Sequence, residues 1–351
     1  MSKVYKKMKL FNIESKEKYN DAKIIGGNPI GIYNFNSTNH SWATKLYKLM
    51  QQRTWFPESI NIAKDITNYA TLTAEEKRAY DLVLAQLITN DSYQTEQLAT
   101  TIDPYITSPN VKLALFKQMC EEVVHAESYS KMALEICQDS DRIYYLHQED
   151  TELMNKNRAV ANMYSTLHDG GEDKSVEDIL MIAVANQILE ELVFPGGFAI
   201  FFSLAKKMPG TAEMIEDISR DETHSHVPLF KNIFRNIVKE ECNGVVPETV
   251  KKQAMDLILK MQDAEIRWTK YASKGLFGFT DEAIEIFIKN KVNNICRNLW
   301  LDIPYDKKDL QINPLQELVD EHTPINNTAR QNFFESKVTE YNVAAVKDDW
   351  E

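Results

Sequence analysis

In the stretch CEEVVHAESYS (residues 120–130), an acid, an imidazole and a phenol recur at helical spacing: Glu122, His125 and Tyr129. Positions three and four apart share one face of a helix, so these side chains would stack one above another. The flanking residues of that face are Leu115, Met119, Met132 and Ile136, an apolar stripe. Groups that are costly to dehydrate have been set into a surface built for burial.

Three further places repeat the pattern. Asp91 follows Leu84, Leu87 and Ile88 and precedes Leu98; Glu190 stands after Ala183 and before Phe194 and Phe198. Asp221 and Glu222 follow Ile215 and Ile218, with His224 and His226 just beyond. Any one of these acids, taken alone, is ordinarily solvated or hydrogen-bonded. Several together are harder to accommodate, because a buried carboxylate costs many kcal/mol and neighbouring ones repel or stay protonated. Cations relieve that cost, and no matching set of Lys or Arg lies on these faces. Oxygen donors with one imidazole per metal suit iron or manganese, whereas thiolates would mark structural zinc. A helical bundle can supply such a site with one carboxylate from each of two helices and a Glu-x-x-His pair from each of two others. Asp91 and Glu190 fit as the single carboxylates, and Glu122 with His125 forms one intact pair.

Long helices must position these groups. Helical periodicity runs over about 73–102, 109–138, 141–168, 175–207, 211–240, 247–273 and 281–299. Thr73 and Glu76 read as a capping box, and Ser108 is placed to cap ahead of Pro109. HDGGEDKS and MPGTAE break the chain between helices. Such lengths exceed the globular average of about 11–12 residues and predict an all-α bundle. After about residue 303 the chain turns polar and reads as a flexible tail.

Composition narrows the class. A formal charge of -12, spread along 351 residues, argues against nucleic acid and membrane surfaces as partners. The apolar run at 179–205 carries two adjacent glutamates and a Pro-Gly-Gly break, so it reads as a buried helix rather than a membrane span. Cys120, Cys137, Cys242 and Cys296 lack close metal-type spacing and fit small apolar side chains in a reducing cytoplasm.

With these residues in view, the chain resembles the small, radical-generating subunit of class I ribonucleotide reductase. The motifs are TWFPE (54–58), LITNDS (87–92), CEEVVHAESY (120–129), ANQILEELVF (185–194) and RDE (220–222), in order, with the likeness running from GGNP at 26 to FFESKVTEY at 333. The resemblance implies a ferritin-like helical bundle with a four-helix metal-binding core and additional helices over 26–303. A partly flexible extension over 1–25 and a C-terminal segment with a flexible tail over 304–351 would flank it. It implies that Asp91, Glu122 and His125 bind one metal and that Glu190, Glu222 and a following histidine bind a second, with Glu122 and Glu222 as bridges. It implies two transition-metal ions, di-iron preferred over dimanganese, and a flavoprotein activator if manganese is used. Tyr129 falls at the family's radical tyrosine, Trp55 on its electron route, and Asp221 at the acid linking that tryptophan to His125. Tyr341 matches the tail tyrosine that relays the radical to the large subunit, with Trp350 a plausible anchor of that docking. A homodimer is implied too.

This chain departs from the family pattern at RDETHSHVPLF, where Ser225 stands three residues beyond Glu222. One extra residue would be absorbed as a π-bulge, helped by Pro228, and would bring His226 to the ligand position; His224 is the rival. Pro195 similarly frees the carbonyl of Glu191 on another ligand helix. Two other readings stay open: a dimetal oxidase or oxygenase on the same scaffold, and a metal store or metal-free structural bundle.

Overall fold

Thr73 and Glu76 do close a capping box, each side chain accepting the other's backbone N–H, and a long helix starts at Ala74. The computed structural model describes residues 3–35, 39–168, 171–311 and 313–323. Two helices, α1 (Ser41–Gln52) and α2 (Ala63–Tyr69), precede α3 (Ala74–Gln97), and then come α4 (Pro109–Lys131), α5 (Ser140–Glu149) and α6 (Thr151–His168). The second half contains α7 (Val176–Ile188), α8 (Phe194–Ser203), α9 (Pro209–Asp221), α10 (Val227–Glu241), α11 (Glu248–Ala272), α12 (Asp281–Asn298) and α13 (Pro314–His322). Strands β1 (Val4–Tyr5) and β2 (Lys174–Ser175) pair antiparallel and tie the N-terminal segment to the bundle.

Among the described residues, four π turns interrupt or end the long helices: Leu98–Ile102, Met132–Ile136, Leu189–Val193 and Glu222–His226. Two of them carry the candidate ligands, and each is followed closely by a proline, Pro195 or Pro228. A proline cannot bond back to the carbonyl four residues earlier, so the wider turn is stabilised where the regular ladder is already broken. The run 176–203 is long and apolar enough to cross a membrane by length and composition, yet its apolar window is wholly buried in the bundle.

The structure corrects four readings of the sequence. The helix expected over 141–168 divides at Asp150, which is extended (φ -108°, ψ 110°) and accepts the N–H of Leu153 at 2.9 Å. Asp150 therefore caps the next helix, and the apolar phase continues across the break, which hides it from periodicity. Ser108 makes no capping bond; its hydroxyl lies 2.8 Å from His40 Nδ1 instead. The segment expected as tail first forms α13, which buries Leu315 and Val319 and packs on α8. Helices α1 and α2 lay outside the runs of periodicity. Tyr341 and Trp350 fall outside the described residues.

Candidate metal centre

Helices α3 and α4 pack together, and α4 also touches α9 and α10. The two π turns at Leu189–Val193 and Glu222–His226 face each other. Asp91 comes from α3, Glu122 and His125 from α4, Glu190 from the first π turn, and Glu222 with His226 from the second. Their side chains converge as two overlapping groups: Asp91, Glu122, His125 and Glu222; and Glu122, Glu190, Glu222 and His226. Within each group, one donor atom per residue lies within 4.8 Å of the others. Glu122 and Glu222 belong to both groups. All six residues are buried.

The extra residue in the sequence is accommodated as expected. In the π turn the N–H of Val227 reaches the carbonyl of Glu222, and His226 Nδ1 comes to 2.8 Å from Glu222 Oε2, 3.4 Å from Glu122 Oε1 and 3.8 Å from Glu190 Oε2. His125 Nδ1 lies 3.1 Å from Glu222 Oε1, 3.5 Å from Glu122 Oε2 and 3.8 Å from Asp91 Oδ2. His224 belongs to neither group.

The donor set fits a pair of cations. Among the described residues, both oxygens of Asp91, Oε2 of Glu122, Oε2 of Glu190, Oε1 of Glu222 and Nδ1 of His125 are buried without a hydrogen-bond partner. Orphaned acceptors in that number would be very costly if nothing positive met them. Protons can substitute in part. Burial first, then Glu122, pushes the Asp91 carboxyl well above its usual range, and burial with Glu222 does the same to Glu190. Burial would depress both imidazoles, but Asp221, Glu122 and Glu222 raise His125, and Glu222 and Glu122 raise His226. Burial also opposes the charge on Glu222, yet His226 holds its carboxyl below the ordinary range.

A pH dependence follows. Asp91 and Glu190, with raised folded-state pKa, hold protons that a metal must displace, as do the two imidazoles. Metal uptake should therefore release protons and weaken as pH falls. Isothermal titration of manganese(II) in buffers of different ionisation enthalpy counts them, and uptake without proton release would contradict this electrostatic picture.

Around the donors lies a polar layer that sequence patterning missed. Gln118 Nε2 donates to Glu122 Oε1 at 3.0 Å and to Glu190 Oε1 at 2.9 Å, while Gln94 donates to Glu190 and, at 3.1 Å, to Asn186. Tyr164 donates to Gln94 Oε1 at 3.2 Å. Glu121, buried beside Glu122, lies 3.1 Å from His226 Nε2. Spacing gave a partial signal, since Gln94 and Gln118 fall three and four residues from Asp91 and Glu122 on the same helical faces.

The remaining expected residues are placed as follows. Trp55 Nε1 donates to Asp221 Oδ2 at 2.8 Å, and the same oxygen lies 3.5 Å from His125 Nε2. The Trp55 and His125 rings stack with centroids 6.3 Å apart. Tyr129, one turn after His125, is fully buried, and its hydroxyl has no hydrogen-bond partner among the described residues. Burial, then the charge of Asp91, drives its phenol well above the usual range.

A helical bundle that gathers four carboxylates and two histidines from its core helices into overlapping groups is a ferritin-like fold with a site suited to two metal ions. Residues 32–314 match the family described as "Ribonucleotide reductase, small chain", and the chain belongs to that family. It is 32% identical to the ribonucleoside-diphosphate reductase subunit beta of Treponema pallidum (strain Nichols), over 99% of both chains. Identity to the subunit beta of Halalkalibacterium halodurans is 30% over 91% of each. Among solved structures, the ribonucleotide reductase R2 subunit from Clostridium botulinum superposes with a TM-score of 0.83, at 28% identity, over 92% of this chain and 100% of that one. The chain is thus the small subunit of an oxidoreductase and pairs with a large one.

Proposed function

We propose that this chain stores an oxidising equivalent as a radical on Tyr129 and passes it to the large subunit, where ribonucleotides are reduced. The observation that carries this reading is the line of Trp55, Asp221 and His125 contacts, at 2.8 Å and 3.5 Å, leading from the protein's flank to the donor groups beside Tyr129. Asp91, Glu122 and His125 would hold one ion, and Glu190, Glu222 and His226 the second, with Glu122 and Glu222 between them. When bound, the metal pair supplies the oxidising power, from dioxygen or a reduced oxygen species, that removes one electron from Tyr129.

The protein's residues govern the rest. The phenol of Tyr129 gives up its proton together with the electron, and Asp91, the foremost of the three carboxylates whose charge reaches the phenol, is the group placed to accept that proton. Burial then keeps water and reductants from the oxidised ring. On demand an electron returns to Tyr129 by way of Trp55, drawn through Tyr341 from a thiol of the large subunit. The C-terminal tail, with Trp350 as anchor, docks on that subunit. The working protein is a homodimer in the cytoplasm. Iron is the preferred metal; dimanganese, with a flavoprotein activator, is the alternative for the same ligands.

Reconstitution with iron(II) and oxygen, or with manganese(II) and an activator, should give two ions per chain and a tyrosyl electron-spin signal. Ribonucleotide reduction should appear only when the large subunit is added. Trp55→Phe should leave that signal intact and bring reduction down to background. Full turnover in Trp55→Phe would remove the indole from the route.

A further inference from the structure

Each central histidine turns Nδ1 toward the inner carboxylates and Nε2 toward a single acid outside them. For His125 the outer acid is Asp221, at 3.5 Å; for His226 it is Glu121, at 3.1 Å. Both outer acids immediately precede an inner one in the chain, Glu121 before Glu122 and Asp221 before Glu222. The contacts cross between elements. The histidine of α4 meets the last residue of α9, and the histidine of the second π turn meets an acid of α4.

We propose that Glu121 is the positioning residue for His226, the counterpart of Asp221 at His125, and that Lys117 holds Glu121 in place. This rests on the dimetal reading above. The Nδ1 lone pair of His226 can face a cation only when the ring proton sits on Nε2. Glu121 Oε2 stands where it accepts that proton in a hydrogen bond, which fixes the tautomer and the ring plane. The side chain of Glu121 is 4% exposed, so water competes little. Lys117 Nζ, one helical turn earlier, lies 3.2 Å from Glu121 Oε1, and the carboxylate is thereby not left as an uncompensated buried charge.

His226 is carried by a π turn, a wider turn that occurs frequently at functional sites. The two outer acids also end differently. Asp221 accepts from the indole of Trp55, an oxidisable ring, whereas Glu121 meets an ammonium group, which is not. The His226 side therefore orients its ligand without opening a second route for electrons.

Manganese(II) alone, titrated anaerobically into the metal-free full-length protein, tests this without redox chemistry. The six-line electron-spin signal of the free ion counts what stays unbound. Wild type should take up two ions per chain. Glu121→Ala and the isosteric Glu121→Gln should keep the first ion and weaken the second by about 10- to 100-fold. Glu121→Asp should recover part of the loss, and Lys117→Met should shift it in the same direction by less. Circular dichroism and the urea midpoint of the metal-free variants report whether the fold is kept, and the Gln variant covers the case in which Ala unfolds. Two ions as tight as wild type in folded Glu121→Ala and Glu121→Gln would overturn the role of Glu121. Equal weakening of both ions would overturn it as well, because a role at His226 spares the group of Asp91, Glu122 and His125. A wild type that takes up no pair of ions would instead sink the dimetal reading, and this inference with it.

Discussion

Tyr129→Phe is expected to keep two metal ions per chain, to lose the tyrosyl electron-spin signal completely, and to bring ribonucleotide reduction to background. The substitution removes one oxygen and retains the fully buried ring. Among the described residues the hydroxyl has no hydrogen-bond partner, so its loss leaves no buried partner stranded there. Removing an unpaired buried hydroxyl is close to neutral or slightly stabilising, in contrast to breaking a satisfied one. The urea midpoint should stay at or above wild type. Metal content should hold as well, since all six converged donors, Asp91, Glu122, His125, Glu190, Glu222 and His226, are kept. Only the chemistry should disappear, because a benzene ring without a phenolic proton is far harder to oxidise. Metal analysis, electron paramagnetic resonance and turnover with the large subunit check the three parts separately. A normal tyrosyl signal in the variant would refute the assignment and turn attention to other buried phenols such as Tyr164, which reaches Glu190 through Gln94.

Much of this site is legible in the sequence because helical geometry converts spacing into direction. Glu122, His125 and Tyr129 share a face by their spacing alone, and an acid in an apolar stripe is visible as an anomaly without any fold in hand. The π turn at Glu222–His226 was foreseeable because an added residue in a helix, followed by Pro228, has few ways to be absorbed. Other features depended on partners that no local pattern reveals. Ser108 has the side chain of a cap and the following proline, yet a tertiary contact with His40 claims its hydroxyl. Asp150 breaks a helix whose apolar phase runs on undisturbed, and the phenol of Tyr271, donating to it at 2.6 Å from a distant helix, helps hold it there. Nothing in the local sequence singles out Glu121, because its buried partner His226 arrives from another element. The polar layer of Gln94, Gln118 and Asn186 was hidden for a related reason. Amides are common on helices, and their value here comes from meeting one another and Glu190 across four elements.

His226→Ala and His224→Ala should separate cleanly, although only one residue stands between the two positions. His226 Nδ1 lies within 3.8 Å of Glu122, Glu190 and Glu222, so truncating it removes a donor and leaves Glu222 and Glu121 without their shared partner. Burial opposes charge on the Glu222 carboxylate, and His226 is the largest influence holding it ionised; without the imidazole, that group should take up a proton and become a poorer ligand. One tightly held ion per chain, no tyrosyl signal and no nucleotide reduction are the expected results. His224 faces a different environment. It is half-buried, burial and then the guanidinium of Arg53 lower its pKa, and its Nε2 meets no partner among the described residues. His224→Ala should retain both ions and the signal, with at most a modest change in stability from lost packing. Metal analysis on the two variants, each loaded with the same excess of iron(II) and then desalted, decides between them. If His224→Ala loses an ion while His226→Ala keeps both, the π turn does not deliver its last residue to the metals, and the ligand must be sought one turn of reasoning earlier, at the histidine spaced three from Asp221.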